Sequence, residues 1–509
     1  MATSTLGERL SAEGGDRPRR SRLGALSRVV VICASVVPIA VYLWVAAHQL
    51  GYRYELEWME GGSVEMVGRV LHGQPIYTAP TLHYVAYSYT PLYFWVSALV
   101  AHVTGLGFLP LRLVSFLSSL GCFALLFTMV RRETGDAVAG LLAAGMFAAT
   151  FEVGGAWLDI GRVDSLFLFL LLAAVAAARR ATTWQGGALV GLLVFASFFT
   201  KQTALLAAAP MLVFLVVTRR RVGLAAAATA GLAVVVSTVI LDTATAGWYR
   251  YYIDTELTGQ PLDSVQWTKF FTHDLLAPVG WAIALAGVGL IVGWSRKATR
   301  TAWPFWLAAT AGMVGASWVS RLHSGGGRDV LLPLYAAVAI GAALGYDGLR
   351  RAGAGRPALV GVVLAAVVVV QVAWLSDHPS HLLPTAADAA AGRQFIARVA
   401  TTPGDVIVLD HPWYETMAGK PSWAQGEAVH EVLRSSSTVA RRDLLASIAS
   451  SLDDPSVRVV YLDNKGEIDM LAPALAAQFQ PGGRVFSCYQ CFFPRTDVAF
   501  RPYLEFVRR

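Results

Sequence analysis

Apolar stretches of membrane length dominate this chain and leave few folds open to it. Of its 509 residues, 55% are hydrophobic and only 15% charged. A soluble globular protein carries about 25% charged residues. A membrane span needs roughly 20 consecutive apolar residues, with a range of about 17–25. Eleven stretches qualify or come close: 29–49, 110–130, 137–153, 165–178, 186–199, 203–218, 222–241, 277–294, 303–319, 329–346 and 357–375. The expected fold class is therefore a polytopic α-helical membrane protein with about eleven transmembrane helices.

Charge sets the expected orientation, because Arg and Lys near span ends favour the cytoplasm. The N-terminal basic run (RPRRSRLGALSR) precedes the first span without a small-residue cleavage site, so it reads as a retained signal anchor with its N-terminus cytoplasmic. Segment 90–104 is short and carries His102. Taken as an interfacial helix and not as a span, it places Arg131–Arg132, Arg179–Arg180, Arg219–Arg221, Arg296–Lys297–Arg300 and Arg350–Arg351–Arg356 all inside. The acidic loops then fall outside. A multi-pass protein of the bacterial inner (plasma) membrane is implied, and the net charge of +7 reads as topology, not as a nucleic-acid surface.

Three regions follow: a basic cytoplasmic tail over 1–28, a membrane region over 29–375 with a first outer loop at 50–109, and an extracytoplasmic tail over 376–509. In the tail, GDVIVLD (404–410) and VRVVYLD (457–463) read as buried strands, and 386–400 and 439–452 as amphipathic helices, giving a small soluble α/β domain. No glycine-rich phosphate loop follows either strand. Four cysteines are too few for a disulfide scaffold; Cys488 and Cys491 form a CYQC pair that is either bridged or two free thiols.

Four outer segments carry candidate chemistry. In YELEWMEGGSVE (54–65), Glu57 and Glu60 share one face if helical, and burial raises a carboxylate towards the pKa of a good general base. The bland alternative is a solvated acidic face. In AWLDIGRVDSLF (156–167), Asp159, Arg162 and Asp164 either line an outer pocket or cap the next helix. Lys201, at the junction of two short spans, breaks the inside rule, which points to a phosphate contact, although a lysine there can also snorkel. In SRLHSGGGRDVLLP (320–333), Arg321, His323 and Arg328 flank a glycine run suited to an anionic head group or to a simple turn. No His/Cys cluster has zinc spacing.

GRVLHGQPIY (68–77) and GRVDSLFLFLLLAA (161–174), in this order after an acidic outer motif, resemble the GT-C superfamily of membrane glycosyltransferases. The nearest likeness is to bacterial relatives of protein O-mannosyltransferases and of lipid A aminoarabinose transferases, over roughly 29–375. The resemblance implies transfer of a sugar from a polyprenyl-phosphate donor to a glycan, lipid or protein acceptor hydroxyl outside the membrane, with inversion. The family commonly has an Asp-Glu pair where this chain has Met59-Glu60, so the base falls on Glu60, with Glu57 next. Asp164, then Asp159, takes the second acidic position; Lys201, Arg162, Arg321, His323 and Arg328 take the phosphate-binding ones. No cofactor is required; a divalent metal between Glu60 and Asp164 is left open. The competing class is a transporter or flippase of lipid-linked sugars, which needs the cations but no base.

Overall fold

The computed structural model describes residues 5–295, 302–464, 466, 471, 475–496 and 498–509, with side chains from residue 22 onward. The basic loop at Arg296, Lys297 and Arg300 lies outside the described residues.

Each expected apolar stretch is helical. Helices α1 (Thr5–Gln49), α2 (Glu60–Leu71), α3 (Leu92–Thr104), α4 (Phe108–Thr134), α5 (Ala137–Ala149), α6 (Asp164–Arg180), α7 (Trp184–Phe198), α8 (Ala204–Thr218) and α9 (Arg220–Ala244) are followed by α10 (Ala277–Trp294), α11 (Trp303–Leu322), α12 (Leu332–Ala352) and α13 (Pro357–Leu375). Among the described residues, six helices are long and apolar enough to cross a membrane, and α3, α5, α7 and α8 are shorter apolar helices. At 13 residues, α3 and α5 each span about 20 Å, short of a hydrocarbon core of about 30 Å.

The helices bury one continuous core of Ala, Leu, Val and Phe from α1 and α4–α13. Small residues set the closest approaches. Gly289 of α10 and Gly345 of α12 face each other, so a Cβ on either would strike the other helix's backbone. In a bilayer the hydrophobic effect does not drive helices together, and such contacts let van der Waals packing do so.

After α13 come α14 (Ala386–Thr401) and a four-stranded sheet in the order β1 (Asp405–Val408), β2 (Val457–Leu462), β4 (Leu504–Arg508), β3 (Phe479–Pro481). The parallel β1–β2 pair matches the two expected strands. The antiparallel β3 and β4 carry no strong alternation and were not expected. Three further helices, α15 (Pro412–Met417), α16 (Gly426–Arg434) and α17 (Thr438–Asp453), lie between β1 and β2. Thr385 and Asp388 form a reciprocal capping box that starts α14. Cys488 and Cys491 are bridged, with Cα atoms 5.8 Å apart.

The sheet region is seated on the first outer loop. The backbone N–H groups of Arg495 and Thr496 donate to the Leu56 carbonyl at 2.8 and 3.0 Å, and that of Ala424 donates to Leu82 at 2.8 Å. His411 joins the two regions: its Nδ1 bonds Glu55, and its Nε2 lies 2.8 Å from Asp463, with all three side chains buried. Burial works against charge on this imidazole, but Asp463 and Glu55 outweigh it and hold its pKa well above the usual value.

Candidate active site

Between the first outer loop, the ends of α6, α8 and α11, and the tail lies a cavity of about 820 Å³. Trp58, Tyr89, Trp157, Arg162, Lys201, Arg321, His323 and Asp329 line its membrane side; Glu427, Glu431, Arg434 and Phe500 line its tail side. Phe500 packs edge-on against Trp58, ring centroids 5.0 Å apart, and closes one wall.

All four expected segments thus supply residues to one cavity, the first through Trp58 and Met59. Arg162 sits in an aromatic cage, its guanidinium 5.2, 5.4 and 5.5 Å from the Trp157, Tyr89 and Tyr87 rings. Such stacking favours a cation, and more so where water is excluded. Arg162 Nη2 donates to the Tyr89 hydroxyl at 3.0 Å, its Nη1 lies 3.5 Å from Glu57, and its Nε has no partner.

Lys201 is less available than the sequence suggested. Its Nζ donates to Asp164 at 2.6 Å and to Asp329 at 2.8 Å. Burial opposes the ammonium charge, but Asp164, Asp329 and Tyr89 outweigh it and raise the pKa. Arg321 is similarly engaged, donating to Asp274 at 2.9 Å and to the Gly326 carbonyl. His323 lines the cavity with Nδ1 unpartnered, and burial lowers its pKa. Arg328 does not line the cavity and packs against Gly155.

The four carboxylates expected to do chemistry divide sharply. Glu60 accepts from Arg112 Nη2 at 2.6 Å and Nε at 2.9 Å, and from the backbone N–H groups of Leu56 at 2.7 Å and Gly161 at 2.6 Å. Both oxygens are satisfied, and Glu60 is wholly buried away from the cavity. The geometry expected of a base is therefore absent at Glu60, because Arg112 and two amides occupy its lone pairs. Asp159 is also buried off the cavity; burial, partly opposed by Arg112, raises its pKa to about 7. Asp164 is held by Lys201. Glu57 is also wholly buried and does not itself line the cavity, but it differs in its bonding: its Oε1 has no partner, its other oxygen lies 3.5 Å from the cavity-lining Arg162, and burial, partly opposed by Arg162, raises its pKa to about 8.

With Glu60 bound to Arg112 and Asp164 to Lys201, the two carboxylates left open as a metal pair each face a cation and do not form a donor set for a divalent ion. Among the described residues, no group of three or more His, Cys, Asp or Glu could hold a metal.

Glycines shape the loop. A Cβ at Gly62 would strike the Tyr87 hydroxyl, which donates to the Met59 carbonyl at 2.8 Å, and one at Gly61 would strike Glu55.

The family model for dolichyl-phosphate-mannose-protein mannosyltransferases matches residues 88–241. No curated protein matches the chain. Among solved structures, ArnT from Cupriavidus metallidurans bound to undecaprenyl phosphate is similar with a TM-score of 0.59 at 15% identity, over 92% of this chain and 97% of that one. The chain has the GT-C glycosyltransferase fold. The archaeal oligosaccharyltransferase AglB from Archaeoglobus fulgidus, in complex with an inhibitory peptide and a dolichol-phosphate, shares this fold with a TM-score of 0.57 at 12% identity, over 90% of this chain and 72% of that one.

Within the GT-C fold of this chain, sequence reasoning missed four groups. Arg112 was hidden in an apolar run, where a lone charge is itself the signal. Asp329 stands next to the recognised Arg328. Tyr89 and Trp157 enter through the cage around Arg162, and Tyr89 also lies beside Lys201. Glu427, Glu431, Arg434 and Phe500 reach the cavity only because the tail folds back onto the first loop.

Proposed function

We propose that this chain is a membrane glycosyltransferase that moves a sugar from a polyprenyl-phosphate donor to an acceptor hydroxyl, with inversion. One observation carries the reading: a single cavity gathers Arg162 and Lys201, with the buried Glu57 3.5 Å behind Arg162, beside apolar helices in the GT-C fold. The lipid-phosphate ligands named for ArnT and AglB support the donor class.

Residues 29–375 form the catalytic membrane region in this reading, and 376–509 closes the cavity and meets the acceptor. The described arginine clusters at Arg131–Arg132, Arg179–Arg180 and Arg350–Arg351 end helices α4, α6 and α12, away from the cavity. By the positive-inside tendency the N-terminus is then cytoplasmic and the cavity and tail face outward.

The chemistry is one displacement. Glu57 accepts the proton of the acceptor hydroxyl, whose oxygen attacks the anomeric carbon. The bond from that carbon to the phosphate oxygen breaks, and its electron pair stays on the departing phosphate. Arg162 and Lys201 stabilise the charge that develops there. A pKa near 8 suits Glu57 to accept a proton near neutral pH. The cage holds Arg162 in place, so little reorganisation is needed as charge forms.

The test is transfer of labelled sugar from a panel of polyprenyl-phosphate sugars by purified protein, wild type beside Glu57→Gln. Turnover by wild type that falls about 10²–10⁴-fold in the variant supports the reading. Donor binding without turnover across the panel, with acceptors supplied, would overturn it in favour of a lipid-linked sugar carrier.

A further inference from the structure

A second cavity, of about 260 Å³, lies at the far end of the helices from the first. Arg132 and Glu133 of α4, Arg179 and Arg180 of α6, and Trp306 of α11 wall it. Glu133 is taken by Arg179, which donates to it twice, at 2.9 and 2.8 Å. Arg132 and Arg180 make no ion pair among the described residues. Trp306 is 3% exposed, yet its indole N–H has no acceptor.

Every open valence here is a donor. Buried polar groups in native proteins are normally satisfied, so an unpartnered indole N–H facing a pocket marks the place of a missing acceptor. Two guanidinium groups beside it add net positive charge. Arginine's planar fork suits the oxygens of a phosphate. Arginines serving only as topology signals need neither a pocket nor a buried N–H left open.

Depth identifies the source of the phosphate. Asp164 and Arg179 mark the two ends of α6, about 23 Å apart at 1.5 Å per residue. Trp306 and Arg321 are separated by the same number of residues along α11. Two helices thus place the pocket about 23 Å from the first cavity, towards the opposite leaflet, where long arginine side chains reach the remaining distance to the head groups. Leu307, next to Trp306, is exposed, as a lipid-facing residue would be. Basic pockets between helices at this depth suit anionic head groups.

We infer that this pocket binds the phosphate of an anionic lipid head group on the bilayer face opposite the first cavity. The inference does not depend on the reaction proposed above. It is tested by native mass spectrometry of the full chain with phosphatidylglycerol or phosphatidylcholine, for wild type, R132Q/R180Q and Trp306→Phe. Wild type should retain phosphatidylglycerol at least about tenfold more tightly than phosphatidylcholine, a difference of about 1.4 kcal/mol. The double variant should lose that preference, and Trp306→Phe, which keeps the ring and removes the N–H, should weaken it several-fold. Unchanged thermal unfolding in lipid-free detergent would show that these losses are not losses of fold. Equal preference in wild type and both variants would overturn the inference. Displacement of the lipid by millimolar inorganic phosphate, which then itself raises the unfolding temperature, would overturn the lipid assignment and make this a site for a soluble phosphate.

Discussion

Arg112 grips Glu60 through two guanidinium nitrogens, at 2.6 and 2.9 Å, with both side chains wholly buried. The same guanidinium donates to the carbonyls of Tyr52 at 2.5 Å and Tyr54 at 2.7 Å, so one side chain fixes the path of the first outer loop. Glu57, three residues earlier, is left with an open oxygen. In the reaction proposed above, positioning falls to Glu60 and proton transfer to Glu57.

Opposite stability changes should reveal that division. Glu60→Gln leaves the Arg112 charge buried without its counter-charge, and removing one partner of such a pair costs about 3–5 kcal/mol. Its unfolding temperature should fall steeply. Glu57→Gln replaces an incompletely paired buried carboxylate with a neutral amide, so at pH 8 and above it should unfold at the same temperature as wild type or higher while losing transfer. Scanning calorimetry beside the sugar-transfer assay checks both; a stable Glu60→Gln would sink the anchoring role.

The pH dependence has a definite sign. Burial raises Glu57 to about 8 and Glu55 and Asp159 to about 7, against unfolded values of about 4. Between those limits the folded chain binds more protons than the unfolded one, so stability falls as pH rises. His411 adds in the same direction above about 6.5, since its folded pKa is also raised. Unfolding free energy should therefore drop from pH 5 to pH 8, by up to about 1.4 kcal/mol per pH unit for each group while it titrates, and the unfolding temperature with it. Catalysis should run the other way, rising with pH through the Glu57 titration. Glu57→Gln should flatten that limb of the rate profile, and an unaltered profile would exclude Glu57 as the base.

Lys201 is shared between Asp164 and Asp329, and only Asp329 of the two carboxylates lines the cavity. An incoming phosphate must compete with it for the ammonium and bears its repulsion. Asp329→Asn should therefore tighten binding of polyprenyl phosphate, by about tenfold or more, equivalent to about 1.4 kcal/mol. Equilibrium binding of the lipid phosphate measures this directly. If Asp329 only buttressed the fold, the variant would bind no better than wild type.

The helices were legible because membrane-length apolar runs leave a segment few other structures. The β1–β2 pair was legible from two β-branched runs, whereas β3 and β4 draw their place from pairing and not from pattern. All four outer segments reach one cavity, but the order of Glu57 and Glu60 within the first depended on where Arg112 points. That partner lies 52 residues away from Glu60, and no local spacing encodes it. For the same reason the tail's share of the cavity wall was invisible: it depends on a contact between Glu55 and His411, 356 residues apart.

That contact yields a last expectation. His411 lies between Glu55 from the loop and Asp463 from the end of β2, and its raised pKa means that it is charged at neutral pH. His411→Gln removes the cation and leaves two buried carboxylates facing a neutral side chain. The loss should approach the 3–5 kcal/mol expected when a buried pair loses one partner. Adding Glu55→Gln removes one of the stranded charges, so the double variant should be less destabilised than the sum of the single changes, with a coupling of about 0.5–3 kcal/mol. Since this junction seats the tail, with Phe500, against Trp58 of the first loop, sugar transfer should fall in His411→Gln and recover in part in the double variant. Strict additivity of the two unfolding free energies would mean that the imidazole packs between loop and sheet without binding them by charge.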